Sequence, residues 1–384
     1  MIYIGFLLHL HQPPTQFPHV VEQIANECYK PLFSLINERQ DALFTVNMTW
    51  SLVEQLYGHG NKYRDLIGSI KNDLEGEKIE ITGTSAHHAI LPLVPERERQ
   101  RQIEINQKQM SYVFGDAYKT IGFFPPEMAY SPEIAGAIKK AGYQWTITDD
   151  IPFLCTHKNV PYKKIIMVDG LGIFLRSGLW SNKISMERKA GRKHSGTEVG
   201  AWLEGDLEKW FSGDDGYIIL AMDGETFGHH HHDYIEEFLV NFLDYIGFKH
   251  DKMRLAHLSE IYNKFPKVQR GVPQGSWATS REDFFNGDFF PLWKGKGNKA
   301  HNITWELITL ALDGAEQITA TEQTRIRMDK ALASCPLWWM AVNRKNPIIR
   351  QGLDELMAII CETNSQEYNK ALQMLKQLDK LLED

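Results

Sequence analysis

Cationic residues are in short supply in this chain of 384 residues: Lys and Arg total 42 against 49 Asp and Glu, for a net charge of −7. A chain with no basic excess and no arginine-rich run is not built to neutralise phosphates, so nucleic acid is not an expected partner. Long apolar runs are missing too. IYIGFLL (2–8) is too short to span a bilayer, has no cationic flank before it and runs into HLHQPP, so neither a signal peptide nor a membrane anchor is expected. The cysteines, Cys28, Cys155, Cys335 and Cys361, are scattered without a CxxC pair. That excludes a disulfide framework or zinc ribbon and points to reduced thiols in the cytoplasm. No GxGxxG follows the first apolar segment, and no repeat or low-complexity tract stands out apart from four consecutive histidines.

What is present is an ordinary globular composition, 43% hydrophobic and 24% charged. Short β-branched runs recur at 2–8, 42–48, 78–84, 120–124, 143–148, 164–168, 172–177, 217–222 and 254–259. Between several of them lie amphipathic stretches of helical period, at 18–38, 96–115, 131–142 and 233–247. Ser131 and Pro132 read as a cap and first-turn proline, and Gly142 as a stop. Strand then helix, repeated about seven times, indicates a parallel α/β sheet. A closed (β/α) barrel is one form of it and an open doubly wound sheet the other, the latter without its glycine fingerprint here. Near residue 270 the alternation stops. We expect a catalytic barrel over 1–270 and a helical C-terminal domain over 271–384, the latter with an aromatic loop (275–298) near the active site.

The ends of the predicted strands carry the chemistry. His9 and His11, Asn47, His87 and His88, Glu127, Asp149 and Asp150, Arg176, Asp223 and Glu225, and Glu260 fall there in turn. In (β/α) barrels that face builds active sites, so an enzyme is expected rather than a binding module. Two carboxylates stand out: Glu127 after paired prolines, and Asp223 closing the apolar YIILAM. Such a pair suits a glycosidase, as nucleophile and proton donor, about 5 Å apart if configuration is retained. Burial and the neighbouring Glu225 are expected to raise the Asp223 carboxyl. Trp145, Phe174, Trp180, Phe227, Trp277, Phe289, Phe290 and Trp293 offer faces on which sugar rings stack, although most serve as core. Trp338 and Trp339 read as packing. A competing arrangement gathers His9, His11, Asp149, Asp150 and His229 to His232 into a metal site, as in a deacetylase- or mannosidase-like hydrolase.

Four segments resemble the motifs of glycoside hydrolase family 57, the α-amylase and 4-α-glucanotransferase family. They are HLHQP at 9–13, EITGTSAHHAILPL at 80–93, PEMAY at 126–130 and DGETFGH at 223–229. The resemblance implies a (β/α)7-type barrel followed by a helical domain, acting without a cofactor or metal on α-glucans or maltooligosaccharides. Carried onto this chain, it makes Glu127 the nucleophile and Asp223 the acid/base. It places His9, His11, Glu80, His88, Arg176, Glu225, Phe227 and His229 around the sugar, with Trp277 and Trp293 as a less distinct fifth motif. The chain departs from the pattern at Phe123 and Phe124, where a tryptophan is common, and at Asn182, where an aspartate is usual.

Overall fold

The computed structural model describes residues 1–58, 60–188, 190–317 and 320–383. Among these residues ten strands form, β1 (Ile2–Leu10), β2 (Phe44–Met48), β3 (Ile79–Thr82), β4 (Gly122–Phe123), β5 (Trp145–Asp149), β6 (Ile165–Val168), β7 (Leu171–Arg176), β8 (Gly216–Asp223), β9 (Met253–Leu255) and β10 (Lys267–Gln269). All nine residues of β1 are buried. A strand covered on both faces needs no polar alternation, which is why it reads as a continuous apolar run.

The strands pair as two five-stranded sheets, one of β3, β2, β1 and β8 with β9 alongside β1, the other β10-β6-β7-β5-β4. Two seams join them. At one, Gly83 and Phe123 form a parallel bridge, with Gly83 N donating to Gly122 O and Phe124 N to Gly83 O, each at 2.8 Å. At the other, Ser177 N donates to Ile219 O at 2.8 Å and Arg176 Nε to Ala221 O at 2.7 Å. Through these seams seven parallel strands follow one another as β1-β2-β3-β4-β5-β7-β8 and back to β1, the (β/α)7 order. The ladder is not continuous because β6 runs antiparallel on the first half of β7. There the start of β8 meets the segment before β6 instead, Tyr217 N donating to Tyr162 O at 2.9 Å.

Sequence reasoning found nine of the ten strands and missed β10, whose three residues, Lys267, Val268 and Gln269, lack a continuous apolar run. It also drew the last apolar segment too long: the strand ends at Leu255 and a helix, Leu258–Lys264, begins. Glu260 therefore lies on that helix, paired with Arg254, and takes no part in the site. After β10 come the aromatic loop and five principal helices, Lys299–Ala315, Glu322–Ala331, Cys335–Val342, Pro347–Thr363 and Tyr368–Glu383. Their apolar faces, among them Leu307, Ala311, Leu353 and Ile360, form a core that also takes in Ala89, Ile90 and Ala129 from the barrel loops. Polar locks hold the two together: Arg101 makes a paired contact with Asp329 at 2.7 and 2.6 Å.

The β3/β4 seam demands glycine. A Cβ on Gly122 would stand 2.0 Å from the Trp145 ring, which is itself fully buried. Gly122→Ala is expected to lower stability by about 1–3 kcal/mol through overpacking, read as a lower urea midpoint at constant slope. An unchanged midpoint would show that Trp145 can step aside.

Candidate active site

Parallel register sets the first row of side chains. His9 stands level with Asn47 of β2 on one side and with Asp223 of β8 on the other, and Asp149 stands level with Arg176. All but Asn47 and Asp149 open onto a cavity of about 820 Å³, lined also by His11, His88, Glu127, Glu225, His229 and Trp277.

Glu127 sits in the one-turn helix Pro126–Met128 with φ +60°, and Met128 follows at φ +50°. Left-handed backbone at two consecutive non-glycine residues costs energy and persists only where surroundings impose it. Here the aromatic loop imposes it. Tyr130 and Gly275 exchange backbone hydrogen bonds at 2.8 and 3.0 Å, and Trp277 N donates to Glu127 O at 3.2 Å. Trp277 Nε1 then donates to Glu127 Oε2 at 2.6 Å, leaving Oε1 directed toward His88, 3.8 Å from its Nδ1. Trp277 is braced in turn by the Arg176 guanidinium, 5.8 Å from its ring. Arg176 donates to Asp149 at 2.8 Å and to Asn182 Oδ1 at 2.6 Å, so the amide at 182 still engages the arginine.

The histidines form a directed chain. Asn47 Nδ2 donates to Thr82 at 2.8 Å, which leaves its Oδ1 to accept from His9 Nδ1 at 2.7 Å. His9 Nε2 is then an acceptor, and receives the proton of His88 Nε2 across 3.1 Å. His88 Nδ1, an acceptor by the same logic, takes the Ser334 hydroxyl at 2.7 Å. Burial, and for His11 and His88 their neighbouring histidines, lowers all three imidazoles below the usual range. The polar wall of the cavity is thus built of neutral rings.

The acids respond oppositely. Burial, then the charge of Asp223, raises Glu127 to about 8, with the Trp277 bond opposing. The same two causes raise Glu225 to about 7 against the Tyr29 hydrogen bond. Glu225 accepts from Tyr29 at 2.5 Å, Gln12 at 3.3 Å and His11 N at 3.2 Å. Both acids thus combine burial with a neighbouring negative charge. Tyr29 reaches Glu225 from a π-helical turn, Ala25–Tyr29, a widening that no residue pattern announces. Gly228, φ +105°, lets the chain pass so near this turn that a Cβ would lie 1.9 Å from Glu27 O.

Several expected residues are elsewhere. Glu80 accepts from Thr45 at 2.6 Å and Ser259 N at 3.1 Å, away from the cavity wall; its neighbours on β3 place it lower in the barrel. Phe227 is buried against Phe6 and Tyr234. Trp293 is fully enclosed in the helical core, where its carbonyl accepts from Trp305. Conversely Trp338 and Trp339, read from sequence as packing, line the cavity with Cys335. The proposed gathering of His9, His11, two aspartates and the histidine run does not form. Asp149 is bound to Arg176, Asp150 accepts from Gly178 N at 3.1 Å, His229 contacts Glu27 at 2.7 Å and His231 contacts Ser185 O at 3.1 Å. Tyr29, Gln12, Ser334 and Cys335 were missed. Gln12 alone carried a signal, by its place in HLHQP.

Because Glu127 is raised from 4.5 to about 8, its ionisation opposes folding. Its contribution is most favourable below the unfolded value and is lost as pH rises toward the folded one. Glu127→Gln keeps the Trp277 contact and is expected to stabilise the chelator-treated protein more near pH 8 than near pH 5, by on the order of 1–3 kcal/mol. The 15% residual exposure of the side chain favours the lower figure. Equal changes in Tm at both pH values would rule out a buried charge as the cause.

The sequence profile described as Glycosyl hydrolase family 57 matches residues 6–273, well over half of the chain. An α-amylase of Pyrococcus horikoshii is 25% identical over 149 residues, 39% of this chain and 23% of that protein. A 4-α-glucanotransferase of Thermococcus litoralis is 26% identical over 149 residues, 39% of this chain and 22% of that protein. The matched segment thus spans under a quarter of the length of these curated relatives. Among solved structures, the Thermococcus litoralis 4-α-glucanotransferase superposes with a TM-score of 0.72 at 19% identity, covering 94% of this chain and 59% of the other. A GH57-type branching enzyme from Pyrococcus horikoshii gives 0.70 at 16% identity, covering 99% and 94%. The extent of the profile match, over a barrel whose strand ends carry those four motifs, establishes that this chain belongs to glycosyl hydrolase family 57.

Proposed function

We propose that the protein cleaves α-glucosidic bonds of α-glucans or maltooligosaccharides with retention, passing the glycosyl unit to water or to a sugar hydroxyl. The observation that carries this reading is the setting of Glu127, a carboxylate held in a left-handed turn with one oxygen fixed by Trp277 and coupled to the charge of Asp223. In this reading Glu127 Oε1 attacks the anomeric carbon while Asp223 protonates the departing oxygen, and Asp223 then takes a proton from the incoming hydroxyl. Burial and the charge of Asp223 both oppose ionisation of Glu127 while the cavity is empty. A sugar whose anomeric carbon gains positive charge beside Glu127 draws that residue into its ionised form.

The neutral imidazoles of His9, His11 and His88 offer hydrogen bonds to sugar hydroxyls without competing for the carboxylates. Trp277, Trp338 and Trp339 give ring faces for stacking, the latter two from the helical region. We therefore assign residues 1–270 the catalytic barrel and residues 271–384 the closing wall of the cavity. The named activities of the relatives, α-amylase and 4-α-glucanotransferase, support the substrate class. No helix among the described residues is long and apolar enough to cross a membrane. The four free cysteines support a reducing, cytoplasmic setting.

Glu127→Gln and Asp223→Asn are each expected to lower kcat on maltoheptaose by at least about a thousandfold, with the parent releasing the retained anomer by proton NMR. Full activity in both variants, or an inverted product, would overturn the assignment. Activity is expected to survive EDTA; its loss with restoration by zinc would favour a metal-dependent hydrolase instead. The products from maltoheptaose, longer chains or only shorter ones, separate transfer from hydrolysis.

A further inference from the structure

His11 and His88 have a second chemistry open to them through a residue the glycosidase reaction does not use. One donor atom from each of His11, His88 and Cys335 lies within 4.8 Å of the others. His11 Nε2 is 3.2 Å from Cys335 Sγ, and the His11 and His88 rings stack with centroids 3.9 Å apart. The three come from distant parts of the chain, just after β1, the loop after β3 and the start of the helix Cys335–Val342, so local sequence does not account for their meeting. Ligand atoms around a tetrahedral zinc ion, at about 2.0–2.3 Å from the metal, stand about 3.3–3.7 Å apart. The donors are therefore within about 1.5 Å of that spacing; the rings have to fan out of their parallel stack for both lone pairs to converge, and His88 Nδ1 has to exchange the Ser334 hydroxyl for the ion. Two imidazoles and a thiolate suit borderline-soft cations and not Mg²⁺ or Ca²⁺. The surroundings favour positive charge. Glu127, Asp223 and Glu225 line the same cavity, and Arg176, the one Lys or Arg among its described lining residues, is committed to Asp149.

We propose that His11, His88 and Cys335 bind one zinc-class divalent cation, with the fourth position open to the cavity. Binding replaces the S–H bond of Cys335 by a sulfur–metal bond and releases that proton to solvent, with no electron transferred. The bound ion stands beside Glu127, where it excludes the sugar, so such cations inhibit. This last consequence rests on the function proposed above; capture of the metal does not.

Titrating the full chain with Co²⁺ tests the site. One Co²⁺ per chain is expected, with a thiolate-to-cobalt charge-transfer band in the near ultraviolet that disappears in Cys335→Ser, and with affinity falling at least about tenfold in His11→Ala. A band that persists in Cys335→Ser, or no band in the parent, would overturn the proposal. A readout on the unaltered chain does not depend on the variants folding: Zn²⁺ should slow alkylation of Cys335 by iodoacetamide about tenfold or more, while the exposed Cys361 reacts as before. Equal labelling of Cys335 with and without Zn²⁺ would refute the site. A chain that shows these metal signatures but cleaves no glucan would contradict the proposed reaction and leave the site standing; active enzyme without them would do the reverse.

Discussion

Everything at the site hangs on the register of β1. Because β1 is paired along its upper half with β2 and along nearly its whole length with β8, His9 has no freedom to stand anywhere but level with Asn47 and Asp223. A slip of one residue would turn His9 away from the cavity and put Leu8 or Leu10 in its place, since side chains alternate along a strand. The apolar residues of β1, packed on both faces, make that slip costly. The precision of the polar row is thus underwritten by hydrophobic burial rather than by the polar contacts themselves.

The second support is the clamp on Glu127. Its turn is strained at two residues, and the strain is held from outside by a loop about 150 positions further along the chain, through Trp277. Raising a carboxyl by burial while fixing one oxygen with an indole N–H does two opposed things: it makes the charge unwelcome and fixes its direction. For the nucleophilic role proposed above both matter: the attacking oxygen, once ionised, is weakly solvated and already aimed. The neutral histidine chain from Asn47 to Ser334 completes this environment without adding charge.

Period and composition made the barrel legible. Apolar β-branched runs separated by helical stretches marked nine strands, and the polar residue at each strand end marked the catalytic face. Glu127, Asp223, His9, His11, His88, Arg176, Glu225, His229 and Trp277 were all anticipated, and all line the cavity. What escaped notice depends on contacts between distant segments. Tyr29 reaches Glu225 only because a helix widens for one turn, and Ser334 and Cys335 reach the histidines only because the helical region folds back. Glu80 and Trp293 failed for the opposite reason: each lies in or near a motif, but motif membership does not say which way a strand or loop residue points. Trp338 and Trp339 sit in an apolar helix whose surroundings a sequence does not reveal.

The Ser334 hydroxyl on His88 and the return bond from Ser334 N to His88 O at 3.2 Å tie the last third of the chain to the loop after β3. During synthesis the barrel segments emerge first, but the cavity they form has one wall missing until residues beyond 330 have been made and have docked. A half-made chain therefore carries the strand-end residues without the enclosure that makes a cavity of them.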